Sequence, residues 1–177
     1  SEVAADDDMN WLYGFGDSSK AIIPDLKTFC CPDTKNTVRS SKKASVFYNG
    51  TTLNILLDLA NNADSSTQPF GHSYEVLGVR GSVRKTSRSV LAYTKQNNPF
   101  IGTVVGPSQT FIMMDAMESH GIPPGTFQNY PGPFSAHGQD GGNMSFADGH
   151  AEWIPKENWN YRWEISQDQA RQITPLN

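Results

Sequence analysis

The sequence predicts an α+β fold dominated by an antiparallel sheet of short strands, and three observations carry that prediction. Residues 143–154 read as a tight β-hairpin around Asp148-Gly149, and residues 109–115 read as a strand. The 15 glycines and 11 prolines interrupt the chain too often for a helical bundle. At 177 residues the chain fits one domain, 1–177, which can bury a core without metals or disulfide staples.

Composition narrows the class further. A net charge of −4 and a pI near 5.5 speak against a general nucleic-acid binder, which presents a basic face. No stretch approaches the roughly 20 apolar residues that span a bilayer. The most apolar run, Leu53 to Leu59, is short and holds Asn54 and Asp58. The opening Ser1-Glu2-Val3-Ala4-Ala5-Asp6-Asp7-Asp8 has no signal-peptide pattern, and a start without Met in an acidic segment reads as a cut within a longer protein. Adjacent Cys30 and Cys31 cannot both ligate a metal in the C-x-x-C manner. A vicinal disulfide, a bridge to a cysteine elsewhere, and two small buried side chains all remain open.

Along the chain, Met9 to Phe15 is an aromatic-rich entry followed by the turn formers Gly14, Gly16 and Asp17. From Ser18 to Phe29, Ile22, Ile23, Leu26 and Phe29 are apolar, and Pro24 interrupts any long helix. Residues 32–44, with Lys35, Arg39, Lys42 and Lys43, read as an exposed loop solvated by its charge. Val46-Phe47-Tyr48 leads into Asn49-Gly50, a strong turn signal. Leu53, Leu56, Leu57 and Ala60 then follow helical spacing and predict a short helix. After a polar loop over 61–71, Ser73 to Leu77 alternates and predicts a strand. Gly78 to Arg88 is basic and rich in small residues. Val90, Leu91 and Tyr93 predict a short extended segment ended by Asn97-Asn98-Pro99. Gly106-Pro107-Ser108 introduces Gln109 to Asp115, whose four consecutive apolar residues predict a central strand covered on both faces. Trp163 to Ile173 predicts a terminal helix with Gln167, Gln169 and Gln172 exposed.

The hairpin is the sharpest local signal. Asp148-Gly149 suits the two positive-φ positions of a type I′ turn. A two-residue loop sets Ala147 opposite His150, Phe146 opposite Ala151, Ser145 opposite Glu152 and Met144 opposite Trp153. That register gathers Met144, Phe146, Ala151 and Trp153 on one face, and a one-residue slip would destroy it. Upstream, Ser135 to Asn143 holds Gly138, Gly141 and Gly142, which predicts a sharply bent loop wrapping back on the hairpin.

Several chemistries can be weighed on these residues. Asp140, Asn143 and Asp148 offer hard oxygen ligands near backbone carbonyls, a candidate structural calcium site whose spacing matches no EF-hand. His120, His137 and His150, with Asp115 or Asp140, are the transition-metal alternative, again without a recognised spacing. Apart from that calcium, no cofactor is expected. Ser135, His137 and Asp140 lie close in sequence, but a nucleophile–base–acid set needs geometry that neighbours in one loop rarely provide. With neither G-x-S-x-G nor H-E-x-x-H present, an enzyme is not expected. Trp11, Tyr13, Tyr130, Trp153, Trp159, Tyr161 and Trp163 support a rival reading, an extracellular carbohydrate- or surface-binding module. Its stacking platform would lie at Trp159-Asn160-Tyr161-Arg162-Trp163, and core packing is the plainer role for those rings.

An ordered set of motifs carries a family resemblance. His137 followed by Phe146-Ala147-Asp148-Gly149-His150 resembles the His-to-Asp-Gly signature of prepilin-type, processing-associated proteins, with ten intervening residues, 138–147, where that family usually has nine. Phe29-Cys30-Cys31-Pro32-Asp33 resembles its Cys-Pro motif, Ser73-Tyr74 its Ser-Tyr strand, and Pro107-Ser108-Gln109-Thr110 through Asp115 its Pro-Ser-Lys-Thr-hydrophobic-Asp strand. The matches span residues 29–154.

The resemblance implies a type IV pilin-like head, with an antiparallel sheet and an N-terminal membrane helix that this chain lacks. It also implies leader cleavage and methylation, then assembly into a type IV pilus-like or type II secretion pseudopilus-like filament. The implied partners are other pilin or pseudopilin subunits, the assembly machinery, and the membrane through that helix; nucleic acid is not expected. The implied location is periplasmic or extracellular, anchored in the inner membrane before assembly. The glycine loop resembles, loosely, the calcium-binding loop of major pseudopilins, which would place calcium at Asp140, Asn143 and Asp148.

Overall fold

The structure is a computed structural model that describes residues 8–48, 50–63, 69–80, 83–97, 100–117, 129–133 and 135–168. The fold is α+β, with antiparallel sheets and few helices. The chain divides into two compact units, Ser1–Val76 and Leu77–Asn177.

In the first unit, β1 (Lys43–Tyr48) and β2 (Thr51–Leu56) form an antiparallel hairpin whose register runs from Tyr48 opposite Thr51 to Lys43 opposite Leu56. That two-residue return corrects the helix predicted from Leu53, Leu56, Leu57 and Ala60. Cross-strand pairing claims Leu53 and Leu56, leaving only a turn of 3-10 helix at Leu57–Leu59. Buried Asn10 stands in for a neighbouring strand at Leu56: its Oδ1 accepts from Leu56 N at 2.7 Å and its Nδ2 donates to Leu56 O at 3.1 Å. The expected solvated loop over 32–44 is anchored instead. Arg39 donates through N, Nε and Nη2 to buried Asp58, at 2.8, 2.7 and 2.7 Å, with its guanidinium 3.7 Å from the Phe70 ring centroid. Val38 and Asn36 are buried beside it in sequence. Cys30 is half-buried, Cys31 is buried, and no disulfide joins them. The predicted strand is present as β3 (Tyr74–Val76), with Glu75 buried.

The second unit opens with a small hairpin, β4 (Val79–Arg80) with β5 (Val83–Arg84). A capping box then starts α1 (Ser87–Ala92): Ser89 N donates to Thr86 Oγ1 at 3.2 Å while Thr86 N donates to Ser89 Oγ at 2.8 Å. Val90 and Leu91 are therefore helical, correcting the extended segment predicted there; Tyr93 is extended and caps the helix.

Strands β6 (Phe111–Asp115), β7 (Gly141–Phe146) and β8 (Ala151–Pro155) pair in that order. The register of β6 on β7 shifts between Phe111 and Met113. The bulge brings Phe111 and Met114, three residues apart, to the same buried face and leaves Ile112 38% exposed. Four consecutive apolar residues thus mark a bulged strand, correcting the doubly covered one predicted. The helix α2 (Lys156–Gln167) begins well before the predicted Trp163. Its Trp159 and Trp163, one turn apart, close the core over Phe111, Met114, Met144, Phe146 and Ile154. Each indole removes on the order of 200 Å² from water, worth up to about 5 kcal/mol. Gln167 is buried, not exposed as predicted; Gln169 and Gln172 lie outside the described residues.

The 143–154 hairpin forms, one residue out of the expected register. Ser145 faces Ala151, Met144 faces Glu152, Asn143 faces Trp153 and Gly142 faces Ile154. Phe146 N donates to His150 O at 2.8 Å and Gly149 N to Phe146 O at 2.9 Å, closing a three-residue loop in which Gly149 alone has positive φ, 93°. This is the turn-plus-bulge connection in place of a type I′ turn. Its consequence is that Ile154 joins Met144 and Phe146 in the core, while Trp153 moves to the opposite face, 43% exposed.

Candidate functional site

The strand register lines up a polar row on the face away from the core. Met114 pairs with Met144, so Asp115 lies level with Asn143, and Asn143 pairs with Trp153. Asp115 is only 3% exposed, and a single carboxylate oxygen, Oδ2, takes Asn143 N at 2.7 Å, Asn143 Nδ2 at 3.0 Å and His137 Nε2 at 3.2 Å. The His137 ring meets Trp153 edge to face, with centroids 5.3 Å apart. A histidine from the glycine loop is thus clamped between a carboxylate on β6 and an indole on β8.

The glycines permit this path. Gly141 has φ of 144°, and a Cβ there would be driven into the Ile154 carbonyl oxygen. Asp140 O accepts from Lys156 N at 3.0 Å, so the loop leaves over the start of α2. Ser135 Oγ accepts from Gly132 N at 3.0 Å and tightens the entry to the loop.

The expected site residues distribute as follows. Asn143 is in the row, holding Asp115. Asp140 is exposed at the start of β7, and Asp148 lies in the hairpin loop beyond its other end. The strand between them is roughly 17 Å long, whereas two ligands of one calcium ion lie about 5 Å apart at most. Asp140, Asn143 and Asp148 therefore do not converge on one ion. Asp148 instead accepts from His150, whose Nδ1 is 2.6 Å from its Oδ1 and whose backbone N is at 3.2 Å. The His150 side-chain bond holds the Asp148 carboxyl below its ordinary pKa. The His150 ring stacks on Phe146 at 4.4 Å, which fixes the loop tip. Of the alternative metal set, Asp115 and His137 do meet, His150 is engaged with Asp148 on the loop, and His120 lies outside the described residues. The aromatic platform is largely core: Trp159 and Trp163 are 0% and 2% exposed, and Tyr161 points outward against Phe100.

A second polar assembly went unrecognised in the sequence. Asp168, in left-handed conformation at the C-cap of α2, is buried and accepts from Tyr93 Oη at 2.5 Å, Gln96 N at 3.1 Å and Asn97 N at 3.1 Å. Burial raises its carboxyl, but the bonds from Tyr93, Asn97 and Gln96 outweigh it and the pKa ends below the ordinary value. Beside it, buried Lys95 donates to Glu164 O at 2.8 Å, and buried Arg80 stacks on the Tyr93 ring at 4.6 Å. Burial lowers Lys95 to about 8 and raises Tyr93 to about 12. Isolated basic residues in a Gly/Ser-rich stretch carry no sign of burial; Thr86 and Ser89 at capping-box spacing were the available hint that a helix orders this region.

Compared with protein-family models, with curated proteins and with solved structures, the chain matches none. Among the described residues, no helix is long and apolar enough to cross a membrane.

Proposed function

We propose that this chain is the sheet-bearing head of a pilin-like or pseudopilin-like subunit, a structural component of a type IV pilus-like or type II secretion pseudopilus-like filament. One observation carries the reading: two motifs that resemble that family separately in sequence meet in space. Asp115, the end of the Pro107-to-Asp115 motif, binds His137, the start of the His-to-Asp-Gly motif, and both join Asn143 at the hairpin that Asp148-Gly149 closes. A latch of this kind gives a filament subunit a rigid outer face. On this reading assembly is the work of an upstream apolar helix, the partners are like subunits and their assembly machinery, and the head lies outside the inner membrane. The surface-binding alternative loses its main support, since Trp159 and Trp163 are core residues.

The test is to follow the complete product of the natural gene in its own cells with an antibody against this head. Recovery in the membrane fraction, with a cleaved and N-methylated mature terminus by mass spectrometry, is expected. An unprocessed product in the cytosol overturns the proposal.

A further inference from the structure

We propose that the second unit contains a buried oxyanion site built on Arg80, with Lys95 as its second cation and a phosphate, sulfate or carboxylate group as its ligand. Arg80 is 1% exposed, and its Nε, Nη1 and Nη2 are all buried without a hydrogen-bond partner among the described residues. Lys95 is also 1% exposed, and its Nζ reaches the Glu164 carbonyl. The carboxylate beside the two cations is Asp168, whose oxygens are occupied by Tyr93, Gln96 and Asn97.

A dry site with two cations and one committed carboxylate carries excess positive charge, and an unpaired guanidinium away from water is strongly unfavourable. The unused donors form the planar fork that takes an oxyanion through paired N–H bonds. Tyr93, whose ring carries the Arg80 guanidinium, also lines a surface cavity of about 300 Å³ with Val83, Thr86, Arg88, Ser89 and Ala92. A single side chain therefore borders both the cavity and the buried guanidinium, and entry of an anion requires it to rotate and release its hydroxyl from Asp168. The proposal is independent of the filament reading, because it uses none of the residues of the Asp115 row.

The experiment compares the wild-type chain with Arg80→Met by thermal melting after exhaustive dialysis into chloride. Phosphate, sulfate and acetate are then added at constant ionic strength. Sulfate and phosphate stabilise many proteins non-specifically, so the shift of Arg80→Met in each salt is the baseline. The wild type should rise above that baseline by roughly 5–10 °C at a hundredfold excess over Kd, and calorimetry should show one saturable site. In chloride alone, Arg80→Met should be at least as stable as wild type, because it removes an unpaired buried charge. The order should reverse once the anion is added. The three salts distinguish a tetrahedral anion from a carboxylate. Equal shifts in both proteins, or a variant less stable than wild type by the same margin in every salt, overturn the site. Should Arg80→Met not fold, Arg80→Lys keeps the charge and loses the fork; binding unchanged from wild type in that variant overturns it as well.

Discussion

Replacing Asp115 with alanine removes the acceptor that ties the glycine loop to the sheet. Two donors end on one oxygen, Asn143 N and Asn143 Nδ2 at 2.7 and 3.0 Å, and His137 Nε2 lies 3.2 Å from the same atom. A hydrogen bond to a charged group contributes about 1.5–3 kcal/mol. Asn143 is exposed, so water replaces the acceptor for its side-chain amide, and the remaining two bonds dominate. The expected loss is about 3 kcal/mol, two such bonds at the low end of that range. For a chain of this size that is a fall in Tm of about 6–12 °C, read by circular dichroism. Limited proteolysis should report new cleavage within residues 135–140. His137→Ala removes one of the bonds and should lose about 1–2 kcal/mol. The double variant should fall short of the sum, because both changes delete the same contact. A loss below about 2 °C for Asp115→Ala, or strict additivity in the double variant, would refute the latch.

Gly141→Ala should destabilise by about 2–4 kcal/mol, through a positive-φ alanine pressed on the Ile154 carbonyl. Gly138→Ala, with positive φ but open space around it, should cost only about 1–2 kcal/mol, and urea midpoints will separate the two. Lys95 is charged in the unfolded chain up to about pH 10.5 and in the folded one only up to about 8, so the unfolded state binds more protons between those values. Stability of the wild type relative to Lys95→Met should accordingly rise with pH through that window, by at most about 1.4 kcal/mol per unit; a flat difference contradicts the burial of Lys95. Asp58 gives a slope of the same sign at acid pH: the Arg39 side chain holds its carboxyl below 3.8, so its contribution is present above that pH and lost as pH falls through the folded value. The stability gap between wild type and Arg39→Met should therefore narrow below about pH 4, as acid melts will show.

Pattern and turn chemistry made the hairpin, the 111–115 strand and the mixed fold class readable, and failed where two local rules competed. Asp148-Gly149 fits a two-residue and a three-residue loop equally well, and alternation at Met144, Phe146, Ala151 and Trp153 favoured the wrong one. The pairing of Gly142 with Ile154, which decides the register, pairs a side chain with none and leaves no periodic trace. Leu53, Leu56 and Leu57 had helical spacing, but the return at Gly50 put Leu53 and Leu56 against β1. In α2 the polar sequence Lys-Glu-Asn-Trp-Asn-Tyr-Arg-Trp hides a helix whose buried apolar residues are only Trp159, Trp163 and Ile165. Within the site, Asp115 and His137 were singled out for a transition metal and Asn143 for calcium, and the three were not joined, because their convergence depends on the β6–β7 register. The burial of Arg80 and Lys95 depends on long-range contacts with Asp168 and Glu164, which no local window contains.

The filament assignment meets its most direct test in immunogold electron microscopy of native cells, using antibodies raised against residues 8–168. The account predicts gold on filaments or on short assemblies spanning the periplasm. Label spread through the cytosol, or on a dispersed secreted protein with no assembly at any growth stage, would contradict it.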